Sequence, residues 1–137
     1  MRTGRKTSSQ AETLAAAKVL VVDDELAILE MLDRLLTKRG YRVETANSGA
    51  EAVERIALGH DYDVILLDMF MPGQEGKATY EKIISLRPDF TGHIIFITGD
   101  MTVPETQTFL ERTRASYVAK PFNLDELIAT IQAALER

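Results

Sequence analysis

The chain has 137 residues, a formal net charge of −5 and no cysteine. That length fits one domain able to bury its own core, and the missing thiols exclude a disulfide framework, a thiolate metal site and a cysteine nucleophile. Hydrophobic residues at 45% against 27% charged are globular proportions, and the longest apolar runs fall far short of the roughly 20 residues that span a bilayer.

Charge is unevenly spread. Residues 1–17 hold Arg2, Arg5 and Lys6 against Glu12, whereas residues 18–137 carry 13 basic and 20 acidic side chains, a net of −7. The Thr/Ser/Ala-rich stretch 1–17 lacks the apolar core of a secretory signal and reads as a disordered leader or linker before a domain over 18–137. An acidic body argues against direct nucleic-acid binding, which needs Lys and Arg clustered on one face.

In chain order, Lys18 to Val22 is a continuous apolar run suited to a strand buried on both faces. Ile28, Leu29, Met31, Leu32, Leu35 and Leu36 then recur at helical spacing, with Glu25 and Glu30 early, Lys38 and Arg39 late, and Gly40 placed to stop the helix. Tyr41 to Ala46 alternates as a strand. Ser48 and Glu51 have the spacing of a capping box, opening a helix that Gly59 closes. Asp63 to Leu67 is a second buried strand, followed by a Pro/Gly loop over Met71–Gly76 and a helix with Tyr80, Ile83 and Ile84 on one face, ending at Arg87-Pro88. His93 to Ile97 is the fourth strand. Thr102 and Glu105 repeat the capping-box spacing before a helix through Phe109 and Leu110. Ala115 to Ala119 is a short fifth strand, and Asn123 caps a last helix along Leu127, Ile128, Ile131 and Leu135. Five strands alternating with five helices predict an α/β fold, a doubly wound five-stranded parallel sheet with right-handed crossovers.

In such a sheet, ligands bind at the carboxyl ends of the strands. Asp23 and Asp24 follow the first strand, Asp68 the third, Thr98 the fourth and Lys120 the fifth. An acid after a strand is commonly only a turn residue or cap; five positions of the right type at one edge outweigh that reading. Converged carboxylates need raised pKa values or a cation. Oxygen donors without His or Cys suit a hard divalent ion, most plausibly Mg²⁺. His60 and His93 lie at a helix end and a strand start, away from this edge. A carboxylate nucleophile, a metal and a lysine together describe phosphoryl transfer onto an aspartate.

These residues resemble the response-regulator receiver domain of two-component signalling. The matching pieces are Val21-Val22-Asp23-Asp24-Glu25, Leu66-Leu67-Asp68-Met69-Phe70-Met71-Pro72-Gly73, Ile97-Thr98-Gly99 and Tyr117-Val118-Ala119-Lys120-Pro121-Phe122, and the similarity runs from about Lys18 to Arg137. The resemblance implies a flavodoxin-like (βα)5 fold with strand order 2-1-3-4-5. It implies that Asp68 accepts a phosphoryl group from a histidine kinase or histidine phosphotransfer domain. Mg²⁺ would touch Asp24, Asp68 and the backbone carbonyl of Phe70, with Asp23 acting through water, and Lys120 would bind the phosphoryl group. The Lys120–Pro121 bond is expected to be cis. Thr98 and Tyr117 would switch the face formed by helix 4, strand 5 and helix 5, and a phosphorylation-dependent homodimer is one form that output can take. A cytoplasmic phosphoprotein that assists only its own phosphorylation and dephosphorylation, and is otherwise no enzyme, is expected.

Phe70, two past Asp68, stands where members of that family vary; it could shield an acyl phosphate or face outward for docking. Asp100, two past Thr98, borders the same pocket. The compact ending after helix 5 and the Thr98-Gly99-Asp100 run are similar to receiver domains of hybrid sensor histidine kinases, with a lone receiver or a piece of a longer protein as the other arrangements. One rival reading is an aspartate-nucleophile phosphohydrolase of the haloacid dehalogenase type, which needs its nucleophile in an Asp-x-Asp motif after the first strand; Asp23-Asp24-Glu25 stands there instead. Another is a flavin-binding electron carrier, which needs a Ser/Thr/Gly-rich phosphate loop where the acidic pair lies.

Overall fold

The five expected strand segments form five parallel strands: β1 (Lys18–Val22), β2 (Arg42–Ala46), β3 (Val64–Asp68), β4 (Ile94–Thr98) and β5 (Ser116–Ala119), in the sheet order β2-β1-β3-β4-β5. Helices α1 (Leu26–Lys38), α2 (Gly49–Ala57), α3 (Glu75–Leu86), α4 (Pro104–Thr113) and α5 (Leu124–Leu135) connect the strands and follow the last, with a short 3₁₀ turn at Pro88–Phe90. The computed structural model describes residues 17–70, 75–99 and 101–137. The expected leader lies outside these residues except for Ala17, which is buried and accepts the Arg42 N–H at 2.9 Å.

Strand pleating sorts the core into two layers. Leu20, Val22, Ile65, Leu67, Ile94 and Phe96 pack against Ala52 and Ile56 of α2, Tyr80 and Ile83 of α3, and Phe109 and Leu110 of α4. Their alternate neighbours, Val19, Val21, Val64, Leu66, Ile95, Ile97 and Val118, pack against Leu29, Leu32 and Leu36 of α1 and Leu127, Ile128 and Ile131 of α5. Burial on both faces explains why β3 and β4 are apolar up to their last residues, since neither face meets water. The first layer centres on Tyr80, Phe96 and Phe109, with ring centroids 5.3–5.6 Å apart, and truncating such a buried aromatic to alanine costs about 3–5 kcal/mol.

The element ends follow the sequence with three main exceptions. Ser48 Oγ accepts the Glu51 N–H at 3.1 Å, but Glu51 Oε1 reaches the N–H of Asn47 (2.8 Å), one residue before the cap. Asn123 Oδ1 accepts the Glu126 N–H at 2.6 Å and caps α5. Gly40 and Gly59 take positive φ values of 96° and 98°, a conformation that costs glycine little, and end α1 and α2. The first exception is α4: its N-cap is Val103, which makes no side-chain cap bond, with Pro104 opening the helix. Proline sets the helical φ and lacks the N–H that a cap would satisfy, so it starts α4 where Thr102 was expected to do so. The second is α3, which opens at Glu75 inside the loop expected over Met71–Gly76, and the third is that β3 and β4 each run one residue later than their apolar runs predict, ending on Asp68 and Thr98 rather than before them.

Candidate functional site

The strand alternation continues into the carboxyl edge. Asp23, one past β1, and Asp68, the last residue of β3, lie in phase with the residues facing α1 and α5, as does Lys120 after Val118. Thr98 is in phase with Phe96 and so belongs to the opposite face. Tyr117 pairs in register with Phe96, which puts it on the same face as Thr98. These side chains thus divide into Asp23, Asp68 and Lys120 on one side of the sheet and a Thr98–Tyr117 pair on the other.

Carboxylate oxygens of Asp23, Asp24 and Asp68 all lie within 4.8 Å of one another; Asp23 and Asp68 are buried and Asp24 is exposed. Asp23 Oδ1 accepts the Glu25 N–H at 2.8 Å, and its own N–H donates to Ala46 O at 3.2 Å. Asp68 Oδ1 accepts the Phe70 N–H at 3.1 Å, in a tight turn that aims the carboxylate along the edge, while Met69 N–H continues the sheet to Ile97 O (2.9 Å). Lys120 Nζ stands 4.0 Å from Asp68 Oδ1, close enough for ion pairing and too far for a good hydrogen bond. Its backbone N–H donates to Thr98 O at 2.7 Å, and its bond to Pro121 is cis. The Thr98 side chain is fully buried, Tyr117 is 45% exposed, and Phe70 is 39% exposed beside the acids.

Burial dominates the electrostatics. It pushes the Asp23 carboxyl up to about 6, against the lowering effect of the Glu25 N–H, and the neighbouring Asp68 charge raises it further. Asp68 is likewise held above the ordinary carboxylate range by burial, with the Phe70 N–H and Lys120 opposing and Asp24 and Glu25 reinforcing. A single lysine does not neutralise three converged acids. An all-oxygen donor set with surplus negative charge fits a hard divalent cation such as Mg²⁺, held by carboxylates and water.

Comparison with known proteins matches residues 19–132 to the response regulator receiver domain. The chain belongs to that family. This receiver is 38% identical over 120 residues to the response regulator MprA of Mycobacterium leprae, covering 88% of this chain and 51% of that one. It is 33% identical over its whole length to the transcriptional regulatory protein TcrA of Mycobacterium tuberculosis, of which it covers 53%, so the receiver spans about half the length of these curated relatives. Among solved structures it resembles a CheY-like receiver domain of Methanospirillum hungatei (TM-score 0.78, 32% identity, 88% of this chain and 94% of that one). It also resembles the response regulator TrrA of Thermotoga maritima, solved in complex with Mg²⁺-BeF (TM-score 0.74, 34% identity, 87% and 99%). The expected strand order of the family is the order observed.

His60 and His93 stand at the end of α2 and before β4, outside the acid cluster. Phe122 packs against the α1–α5 core layer. Pro72, Gly73 and Asp100 lie outside the described residues. Sequence reasoning treated Gly76 only as the end of a loop; it packs on the backbone of Asp68 and Met69. The available signal was a glycine inside a helical stretch, where alanine is the better helix former.

Proposed function

We propose that Asp68 is the phosphoacceptor of a two-component phosphotransfer reaction, taking its phosphoryl group from a histidine of a partner kinase or phosphotransfer domain. The observation that carries this reading is the convergence of the Asp23, Asp24 and Asp68 carboxylates beside Lys120 Nζ. An oxygen of Asp68 forms the bond to phosphorus as the bond from phosphorus to the donor imidazole nitrogen breaks, and the imidazole leaves carrying the electron pair. The Phe70 N–H fixes Oδ1 and with it the plane of the carboxylate, so attack begins from an oriented nucleophile. Lys120 meets the incoming charge with a mobile ammonium. Asp24, Asp68 and the carbonyl of Phe70 would hold Mg²⁺, with Asp23 acting through water; bound there, the ion would offset the charge gathered by the acids and the phosphoryl oxygens. The related TrrA was solved in complex with Mg²⁺-BeF, which supports the choice of ion.

Thr98 then donates its hydroxyl to a phosphoryl oxygen, and Tyr117, on the same side of the sheet, turns inward from its exposed position. The face formed by α4, β5 and α5 is the output surface, read by a partner or by a second copy. The domain is a stoichiometric signal carrier of the cytoplasm that assists its own phosphorylation and dephosphorylation and turns over no other substrate. Its net charge of −7 over 18–137 gives no footing for direct nucleic-acid binding, and among the described residues no helix is long and apolar enough to cross a membrane.

Acetyl phosphate with Mg²⁺, followed by intact-mass detection, tests the reading. A receiver retains one phosphoryl adduct, and EDTA prevents it. Steady hydrolysis without a retained adduct would instead indicate a phosphohydrolase, and labelling that persists in EDTA would remove the metal from the reaction.

The lifetime of that adduct depends on whether water can approach in line, opposite the Asp68 oxygen. Phe70 sits beside the acceptor with bulk and no hydrogen-bonding group, which disfavours such a water. Phe70→Asn is expected to accelerate decay about threefold to thirtyfold, a barrier change of roughly 0.7–2 kcal/mol. First-order decay after donor removal, wild type and variant side by side, is the measurement; equal or slower decay in the variant would mean that the ring serves docking and not shielding.

A further inference from the structure

Gly76 is the second residue of α3, a place where alanine would favour the helix by about 0.5–1 kcal/mol. It is buried, and the reason for glycine lies across the gap to β3. A Cβ built on Gly76 would sit 2.6 Å from both Asp68 O and Met69 O and 2.7 Å from Met69 Cα, roughly 0.8 Å inside ordinary contact. All three neighbours are backbone, so no rotamer change relieves the overlap. They are also the peptide units that lead from the acceptor to Phe70, whose N–H holds Asp68 Oδ1.

We propose that Gly76 is a positioning residue for phosphoryl transfer: by seating the first turn of α3 directly on the Asp68–Met69 main chain, it sets the turn through which the Phe70 N–H orients the Asp68 carboxylate and presents the Phe70 carbonyl. The proposal rests on Asp68 being the acceptor. Any side chain at 76 moves α3 outward or drives the 68–70 backbone toward the pocket, and in either case the carboxylate loses its setting.

Gly49 supplies the control, because it too leaves no room for a Cβ, yet its obstacle is the Thr79 side chain between α2 and α3. A flexible side chain can be trimmed, whereas backbone cannot. Gly76→Ala, Gly49→Ala and the double variant Gly49→Ala/Thr79→Ala are compared with wild type, each in enough trimethylamine oxide to keep it folded by circular dichroism. Three quantities are read: the rate of adduct formation from acetyl phosphate, the Mg²⁺ dissociation constant by calorimetry, and the amide resonance of Phe70. Gly76→Ala is expected to react about tenfold to a hundredfold more slowly, bind Mg²⁺ more weakly and shift the Phe70 amide. Gly49→Ala should lower the urea midpoint while leaving rate and resonance as in wild type, and Thr79→Ala should restore that midpoint. The proposal is overturned if Gly76→Ala reacts at the wild-type rate with an unmoved Phe70 amide, or if both glycine variants slow in proportion to lost stability. It is equally overturned if Gly76→Ala stays unfolded in the osmolyte, since the glycine would then serve the fold and not the acceptor. If wild type itself takes up no phosphoryl group, the acceptor reading fails, and Mg²⁺ affinity and the Phe70 resonance alone judge Gly76.

Discussion

Asp68→Asn should form no phosphoryl adduct at any acetyl phosphate concentration, and in EDTA it should be more stable than wild type. The two effects have one origin. Asparagine keeps the shape of aspartate and an oxygen able to accept the Phe70 N–H, so the turn at 68–70 survives. It lacks the anionic oxygen that attacks phosphorus, and the neutral amide does not replace that nucleophile. It also removes a buried charge that the folded state holds above its ordinary range, with Asp24 and Glu25 repelling it. Lys120 loses its ion-pair partner but is partly exposed and can reach solvent. Intact mass after incubation and urea unfolding in EDTA measure the two halves separately. An adduct at the wild-type level on Asp68→Asn would transfer the acceptor role to another acid, with Asp24 the first to test.

Asp23→Asn should raise the stability of the metal-free domain by about 1–3 kcal/mol at pH 7.5, because Asp23 is pushed up to about 6 in the folded state from an ordinary 3.8. The folded chain therefore binds this proton more tightly than the unfolded chain does. The Asp23 contribution to wild-type stability is full below about pH 4, falls as the pH rises from about 4 to 6, and levels off above that; the raised Asp68 contributes in the same direction. Asparagine at 23 still accepts the Glu25 N–H and takes no part in the titration. The gain should shrink to little at pH 4, where Asp23 is largely protonated in the folded wild type. Millimolar Mg²⁺ should narrow or reverse the order at pH 7.5, because the ion binds the folded wild type better than the variant. Urea unfolding at the two pH values, with EDTA and with Mg²⁺, supplies the comparison. A variant no more stable than wild type in EDTA at pH 7.5 would show that the site already neutralises its acids without a cation.

All five strands were legible because the apolar runs in β1, β3 and β4 are continuous and the intervening helices carry their own periodicity, whereas the order of the strands came only from the resemblance to the receiver family. The location of the site was legible for a related reason: in a parallel sheet every carboxyl-terminal strand end reaches the same edge, so Asp23, Asp24, Asp68, Thr98 and Lys120 had to meet there. The one-residue shift of β3 and β4 was not legible, since Asp68 and Thr98 are polar and hydrophobicity marks where an apolar run ends, not where backbone pairing ends. Thr98 pairs with Ala119 and Asp68 with Ile97, so both side chains stand on regular strand backbone. The start of α4 was misread because a capping-box spacing and an N-terminal proline compete, and the proline is the more rigid of the two. Gly76 escaped notice because the backbone it touches lies seven and eight positions earlier in the chain, a separation that local pattern does not describe.

The order β2-β1-β3-β4-β5 also divides the molecule in time. Residues 18–68 complete three adjacent strands and contain every acid of the cluster, whereas Thr98 and Lys120 arrive with the strands laid down afterwards on the β3 side. A nascent chain leaving the ribosome therefore gathers its negative charge before its lysine exists, at a stage when water still screens that charge. Until β4 docks, Val64–Asp68 is the open margin of the sheet, an apolar ribbon with unpaired amides of the kind on which chains stick to one another. The second half of the sequence is thus a cover for the first as well as its cationic complement, and a nonsense codon just past Asp68 would leave an adhesive fragment in place of half a signalling domain.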